Sequence, residues 1–144
     1  MGNSSHLFKG VISLKLVHGA QTVEVLTGKR IIKSGAVGAT TAEEIRWLIN
    51  TLVTNSAAWK TSGWAYMVDI TKMAPAAPEV SQELVQLHTK LTAAGCRAMA
   101  FVEGNAIFLA AQAKQHQKQS HAAILEGHFK TEDEALKWIS TIIK

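Results

Sequence analysis

The chain has 144 residues, 47% of them hydrophobic, with 15 Lys and Arg against 11 Asp and Glu for a net charge of +4. That length suits one domain, and the hydrophobic share is too high for disorder. The charges interleave instead of forming a basic stripe, which argues against a nucleic-acid partner, and the apolar runs fall far short of the roughly 20 residues that cross a bilayer.

Residues 1–6 read as a loose N-terminal end of a single domain spanning 1–144. No charged, apolar, small-residue succession marks a secretory signal there. His6 stands where a myristoylation signal needs Ser or Thr. Residues 11–17 then alternate, with Ile12, Leu14 and Leu16 on one face, and residues 22–26 place Val23 and Val25 on one face. Residues 18–21 and 27–29 read as turns, and 30–34 as a third strand with Ile31 and Ile32. Three strands so closely spaced favour an antiparallel meander.

At residue 41 the period changes. Thr41-Ala42-Glu43-Glu44 has the spacing of a capping box, in which hydroxyl and carboxylate satisfy reciprocal free amides. Ile45, Leu48, Ile49, Leu52 and Val53 follow at helical spacing, with an end near 55–58. Residues 64–70 form a continuous apolar run, as expected of a strand covered on both faces. Pro75 and Pro78 bracket a loop, and Pro78 suits a first helical turn. Val80, Leu84, Leu87, Leu91 and Ala94 make one face of the second helix, with Gly95 as its C-terminal cap.

Residues 97–102 predict another buried strand, Gly104-Asn105 a turn, 106–120 a third helix and 122–125 a last short strand. Thr131-Glu132-Asp133-Glu134 is a second capping-box sequence, followed by Ala135, Trp138, Ile139 and Ile142 on the final helix. The order β-β-β-α-β-α-β-α-β-α implies an α/β fold. It has a mixed β-sheet, antiparallel N-terminal strands, right-handed βαβ crossovers and four helices.

Catalytic signatures are absent. Gly35-Ala36-Val37-Gly38 is too short to cradle a phosphate, and neither a GxSxG elbow nor a Walker or dinucleotide-binding glycine pattern occurs. His116 and His121, five apart, do not stack on one helical face and read as polar helix surface, so no metal or other cofactor is expected. Lys114, Lys118 and His121 share a face and form the one local basic patch. Cys96, the sole cysteine, excludes an internal disulfide, agrees with a reducing cytoplasm and reads as a small buried hydrophobe. The four tryptophans read as core or core-edge residues. In open α/β sheets the carboxyl ends of parallel strands are the favoured binding positions, which directs attention to residues 69–78 and 103–105.

Several segments together carry a resemblance. Met67-Val68-Asp69-Ile70-Thr71, the helix with Leu84-Val85-Gln86-Leu87-His88, the stretch Leu91-Thr92-Ala93-Ala94-Gly95-Cys96-Arg97, and the closing Phe129-Lys130-Thr131-Glu132-Asp133-Glu134-Ala135-Leu136 resemble the STAS domain. That family includes the bacterial anti-anti-sigma factors, and some of its divergent relatives are likened to Sec14-type lipid-binding domains. The resemblance implies a STAS-like fold and a regulatory role. STAS regulators carry Asp-Ser-Ser/Thr-Gly in the loop before the second helix, where a partner kinase phosphorylates the hydroxyl. Here the stretch reads Pro75-Ala76-Ala77-Pro78-Glu79-Val80-Ser81, without a hydroxyl at the matching place.

The expectation is therefore a non-catalytic regulatory or protein-interaction module. Its interaction or ligand loop would comprise Asp69, Thr71, Pro75, Pro78, Glu79 and Ser81, with a protein as partner and a homodimer left open. The alternative is a carrier or sensor of a small apolar ligand such as a lipid, held between helix and sheet.

Overall fold

The computed structural model describes residues 13–105, 107–120 and 123–144. The N-terminal end, Ile12 and His121 lie outside them. The alternating segments become β1 (Ser13–His18), β2 (Gln21–Leu26) and β3 (Ile31–Ala36), paired antiparallel. Gly19 and Ala20 make the first turn. At Gly19, φ is +57°, and a Cβ there would lie 1.8 Å from Glu44 Oε2, so only glycine admits that carboxylate.

β4 (Trp64–Asp69), β5 (Cys96–Val102) and β6 (Leu125–Phe129) follow in parallel to β3, giving a six-stranded sheet in the order β1-β2-β3-β4-β5-β6. The helices are α1 (Ala42–Asn55), α2 (Pro78–Ala93), α3 (Ile107–Ser120) and α4 (Glu132–Ser140). Because the parallel strands advance in one direction, crossovers of one hand lay α1, α2 and α3 on the same face. The other face is left to α4.

The side-chain alternation matches these two layers. Trp64, Tyr66 and Val68 join Met99 and Phe101 under the three helices, packed with Ile45, Leu52, Leu87 and Leu91. Ala65, Met67, Ala98 and Ala100 point the other way, toward Ala135 and Ile139 of α4. Alanines there let the short α4 sit close to the sheet. Cys96 is buried as expected, and burial pushes its thiol up to about 12. Trp64 is fully buried, while Trp47, Trp59 and Trp138 are partly so.

Local signals set the helix ends. Thr41 accepts from Glu44 N–H at 3.1 Å and Glu44 accepts from Thr41 N–H at 2.9 Å, closing the first capping box. Gly95, at φ +92°, follows α2 where a Cβ would lie 2.3 Å from the Lys60 carbonyl oxygen.

Two expectations are corrected. The second capping sequence is only half made: Thr131 accepts from Glu134 N–H, but the Glu134 carboxylate takes the Lys130 N–H instead. The last strand is Leu125–Phe129, not 122–125. Toward the three-helix layer it presents Glu126 and His128, a polar pair that hides the strand from a hydrophobic pattern, while Phe129 packs on the α4 side. His128 Nδ1 lies 2.7 Å from Glu103, its Nε2 contacts Glu126, and its ring stacks on Phe101.

Candidate functional site: an apolar pocket beneath the loop after β4

The chain leaves β4 at Asp69 and reaches α2 at Pro78. Asp69 Oδ1 accepts from the Thr71 N–H at 2.9 Å and from its hydroxyl at 2.6 Å, a local turn that spends the carboxylate on its own loop. Two further anchors hold the loop. Gly38, after β3, donates its N–H to the Lys72 carbonyl at 2.8 Å and accepts from Ala74 N–H at 2.9 Å. On the other side, the Gln112 side chain of α3 brackets Ala76, accepting from its N–H at 3.0 Å and donating to its carbonyl at 3.3 Å.

Beneath this roof lies a pocket of about 70 Å³ between α2, α3 and the sheet. Met73, Ala74 and Ala76 close the top, and Tyr66, Val68, Met99 and Phe101 form the floor. A single water occupies about 10–15 Å³ on this scale, so the pocket has room for a few non-hydrogen atoms. A wider open groove of about 680 Å³ runs between α1 and α2 past Ile49 and Val53, but none of the buried unpartnered side-chain atoms belongs to its lining.

The pocket walls carry polar groups. His88 is 2% exposed and His116 6%. His88 Nδ1 lies 2.9 Å from the Leu84 carbonyl, and its Nε2 is buried without a partner. Burial lowers the His88 pKa from its ordinary value, against the opposing pull of that carbonyl and Glu126. Burial, then the neighbouring His88, bring His116 down to about 4. Gln21 Nε2 is bonded to Thr40 Oγ at 2.9 Å, and its Oε1 is buried and unpartnered. The Tyr66 hydroxyl bonds Ser34, and burial raises its pKa.

The residues singled out in the sequence sit above this pocket and do not line it. Thr71, Pro75, Pro78 and Glu79 are exposed, and Ser81 is half-buried, with its N–H bonded to Ala77 inside the first turn of α2. The reading of His116 as polar helix surface is overturned: it faces inward, three residues after the buried Ala113 and one turn after Gln112. Lys114 and Lys118 are exposed. His88 and Gln21 escaped the sequence reading. A signal for His88 existed, since it stands four residues after Leu84 and three before Leu91, on the core stripe of α2.

No protein-family model matches the chain, and no curated protein matches it. A solved structure does. It is an uncharacterised protein of the DUF3478 family from Shewanella loihica PV-4, described as having a SpoIIAA-like fold. It aligns with a TM-score of 0.61 over 90% of this chain and 93% of its own, at 16% identity. The fold is SpoIIAA-like. That is the STAS-like architecture of the anti-anti-sigma factors, a mixed six-stranded sheet with four helices, as the sequence order implied. In this SpoIIAA-like frame the stretch before α2 offers Ala76, Ala77 and Pro78, and the N-cap residue Ala77 makes no side-chain cap bond. Among the described residues no helix is long and apolar enough to cross a membrane.

Proposed function

We propose that the chain is a non-catalytic, STAS-like interaction module that senses a small, mostly apolar ligand in the pocket between α2, α3 and the sheet. One observation carries this reading: the loop after β4 roofs an apolar pocket and is fastened to α3 through Gln112. A ligand larger than that volume displaces the lining, the roof residues Met73, Ala74 and Ala76 included, so occupancy and loop shape are coupled. A ligand shifts such an equilibrium only by its differential affinity for the two shapes. The outer side of the same segment presents Pro75, Pro78 and Glu79 to a protein partner, and the prolines lower the entropy cost of showing one shape. The segment's one hydroxyl–carboxylate contact, Thr71 with Asp69, closes a local turn in which the same carboxylate oxygen also holds the Thr71 N–H, which favours regulation over catalysis.

Native mass spectrometry of the full chain purified from its own host tests the reading. The expected result is a small organic adduct that is absent from Ala113→Leu, in which the added side chain occupies the pocket. In parallel, toluene should slow amide exchange at residues 70–77. An adduct-free protein whose exchange toluene leaves unchanged would overturn the reading.

A further inference from the structure

Two of the pocket's lining residues, Gln21 and His88, each carry a buried polar atom without a partner, and their surroundings assign each as donor or acceptor. Glu44 accepts from the Ala20 and Thr41 amides at 2.9 Å each, and these bonds lower its pKa and keep it ionised. The Thr40 hydroxyl, 2.9 Å from Glu44 Oε1, must therefore donate to it. Its oxygen then accepts from Gln21, so the amide end facing Thr40 is the NH₂ and the free end is the carbonyl Oε1.

His88 follows the same logic. Its Nδ1 faces the Leu84 carbonyl, which can only accept, so Nδ1 carries the proton. In the neutral ring Nε2 is then a bare lone pair. Burial of the ring keeps it neutral. Both unpartnered ends are hydrogen-bond acceptors, in a pocket otherwise lined largely by apolar side chains. A buried acceptor left unmet carries its full desolvation penalty.

We infer that the pocket selects small neutral alcohols and phenols, whose single hydroxyl proton is donated to His88 Nε2. This rests on the ligand-pocket reading above and names its ligand class. A carboxylate would face the bare His88 Nε2 acceptor to acceptor and would have to be buried with its charge unpaired, because burial also keeps His116 neutral. A bare hydrocarbon would fill the space and leave both acceptors unmet.

The test titrates phenol, toluene and benzoate into the full chain, with calorimetry for affinity and ¹⁵N-labelled histidine for NMR. Phenol should bind about tenfold more tightly than toluene, the ratio one net hydrogen bond supplies, and more tightly than benzoate. It should also shift the His88 Nε2 resonance where toluene does not. His88→Phe keeps a ring and removes the acceptor, so it should erase the phenol preference. If that variant fails to fold, the Nε2 shift in the unaltered protein still decides. Equal binding of phenol and toluene would overturn the hydroxyl inference and leave the apolar pocket standing. Tightest binding by benzoate would overturn it in favour of an acid site. Binding of none of the three would overturn both.

Discussion

Gln112 holds Ala76 by both of its backbone polar groups, accepting from the N–H at 3.0 Å and donating to the carbonyl at 3.3 Å. A side-chain amide thereby replaces the partner that a strand or helix would have given this loop residue. The bracket joins the segment after β4 to α3, the two parts of the fold that close the pocket.

Gln112→Ala should therefore loosen the roof selectively. Two partly buried hydrogen bonds are lost, each worth about 0.5–1.5 kcal/mol net, so stability should fall by roughly 1–3 kcal/mol. The distinguishing readout is local. Amide exchange at Ala76 and its neighbours should accelerate far more than at Tyr66 or Met99 in the sheet. A uniform acceleration across the chain would mean that Gln112 supports the whole domain and not the loop.

Much of the fold was legible because its signals are local. The capping box at Thr41 and Glu44, the switch from period two to helical spacing, and the apolar runs Trp64–Val68 in β4 and Ala98–Val102 in β5 each depend on neighbours in sequence. β6 was misplaced because its side chains toward the three-helix layer, Glu126 and His128, are polar and pair with each other and with Glu103, and because Gly127 contributes no side chain. A Cβ at Gly127 would lie 2.6 Å from the Phe129 ring. The pocket was illegible for a different reason. Gln21, Gln112, His88 and His116 come from β2, α3 and α2, and only the sheet order brings them together. Topology directed attention to the loop 69–78, yet the residues of it that line the pocket are apolar ones, Met73, Ala74 and Ala76, which composition does not flag.

Two histidines should leave opposite marks on the pH dependence of stability. His116 titrates near 4 when folded and at its ordinary 6.5 when unfolded, chiefly because burial disfavours the charge. Between those values the unfolded chain takes up a proton that the folded chain refuses, so stability falls with pH, by on the order of 2 kcal/mol. For His128 burial again opposes charge, but the hydrogen bonds and charges of Glu126 and Glu103 outweigh it and raise the pKa. Its contribution is complete below pH 6.5 and is lost as pH rises through the folded value. Urea unfolding from pH 4.5 to 8 checks both. His116→Leu should flatten the acid-side loss, and the penalty of His128→Gln should be largest below pH 6.5 and shrink above it. The reverse pattern in either variant would contradict the environment described for that ring.

Asp69 and Met73 separate the outer surface of the loop from its inner one. Asp69 spends one carboxylate oxygen on the backbone and hydroxyl of Thr71, in a turn exposed to solvent. Two hydrogen bonds of a loop turn are lost, each worth about 0.5–1.5 kcal/mol net, so Asp69→Ala should lower the thermal midpoint by a few degrees without unfolding the domain. It should also leave pocket occupancy unchanged, because Asp69 is not part of the wall. Met73 is on that wall and packs against the core. Met73→Ala should enlarge the pocket and cost about 1–3 kcal/mol, short of the full core penalty because the residue is only partly buried. The two variants then predict different losses. With phenol as the probe, Asp69→Ala should bind as the unaltered protein does, whereas Met73→Ala should change the affinity by several-fold. For a protein partner the order should invert: Asp69→Ala disturbs the presented turn, and Met73→Ala acts only through the pocket. If Asp69→Ala abolishes phenol binding while the fold survives, the turn and the pocket form one unit, and the division into an outer surface and an inner site is wrong.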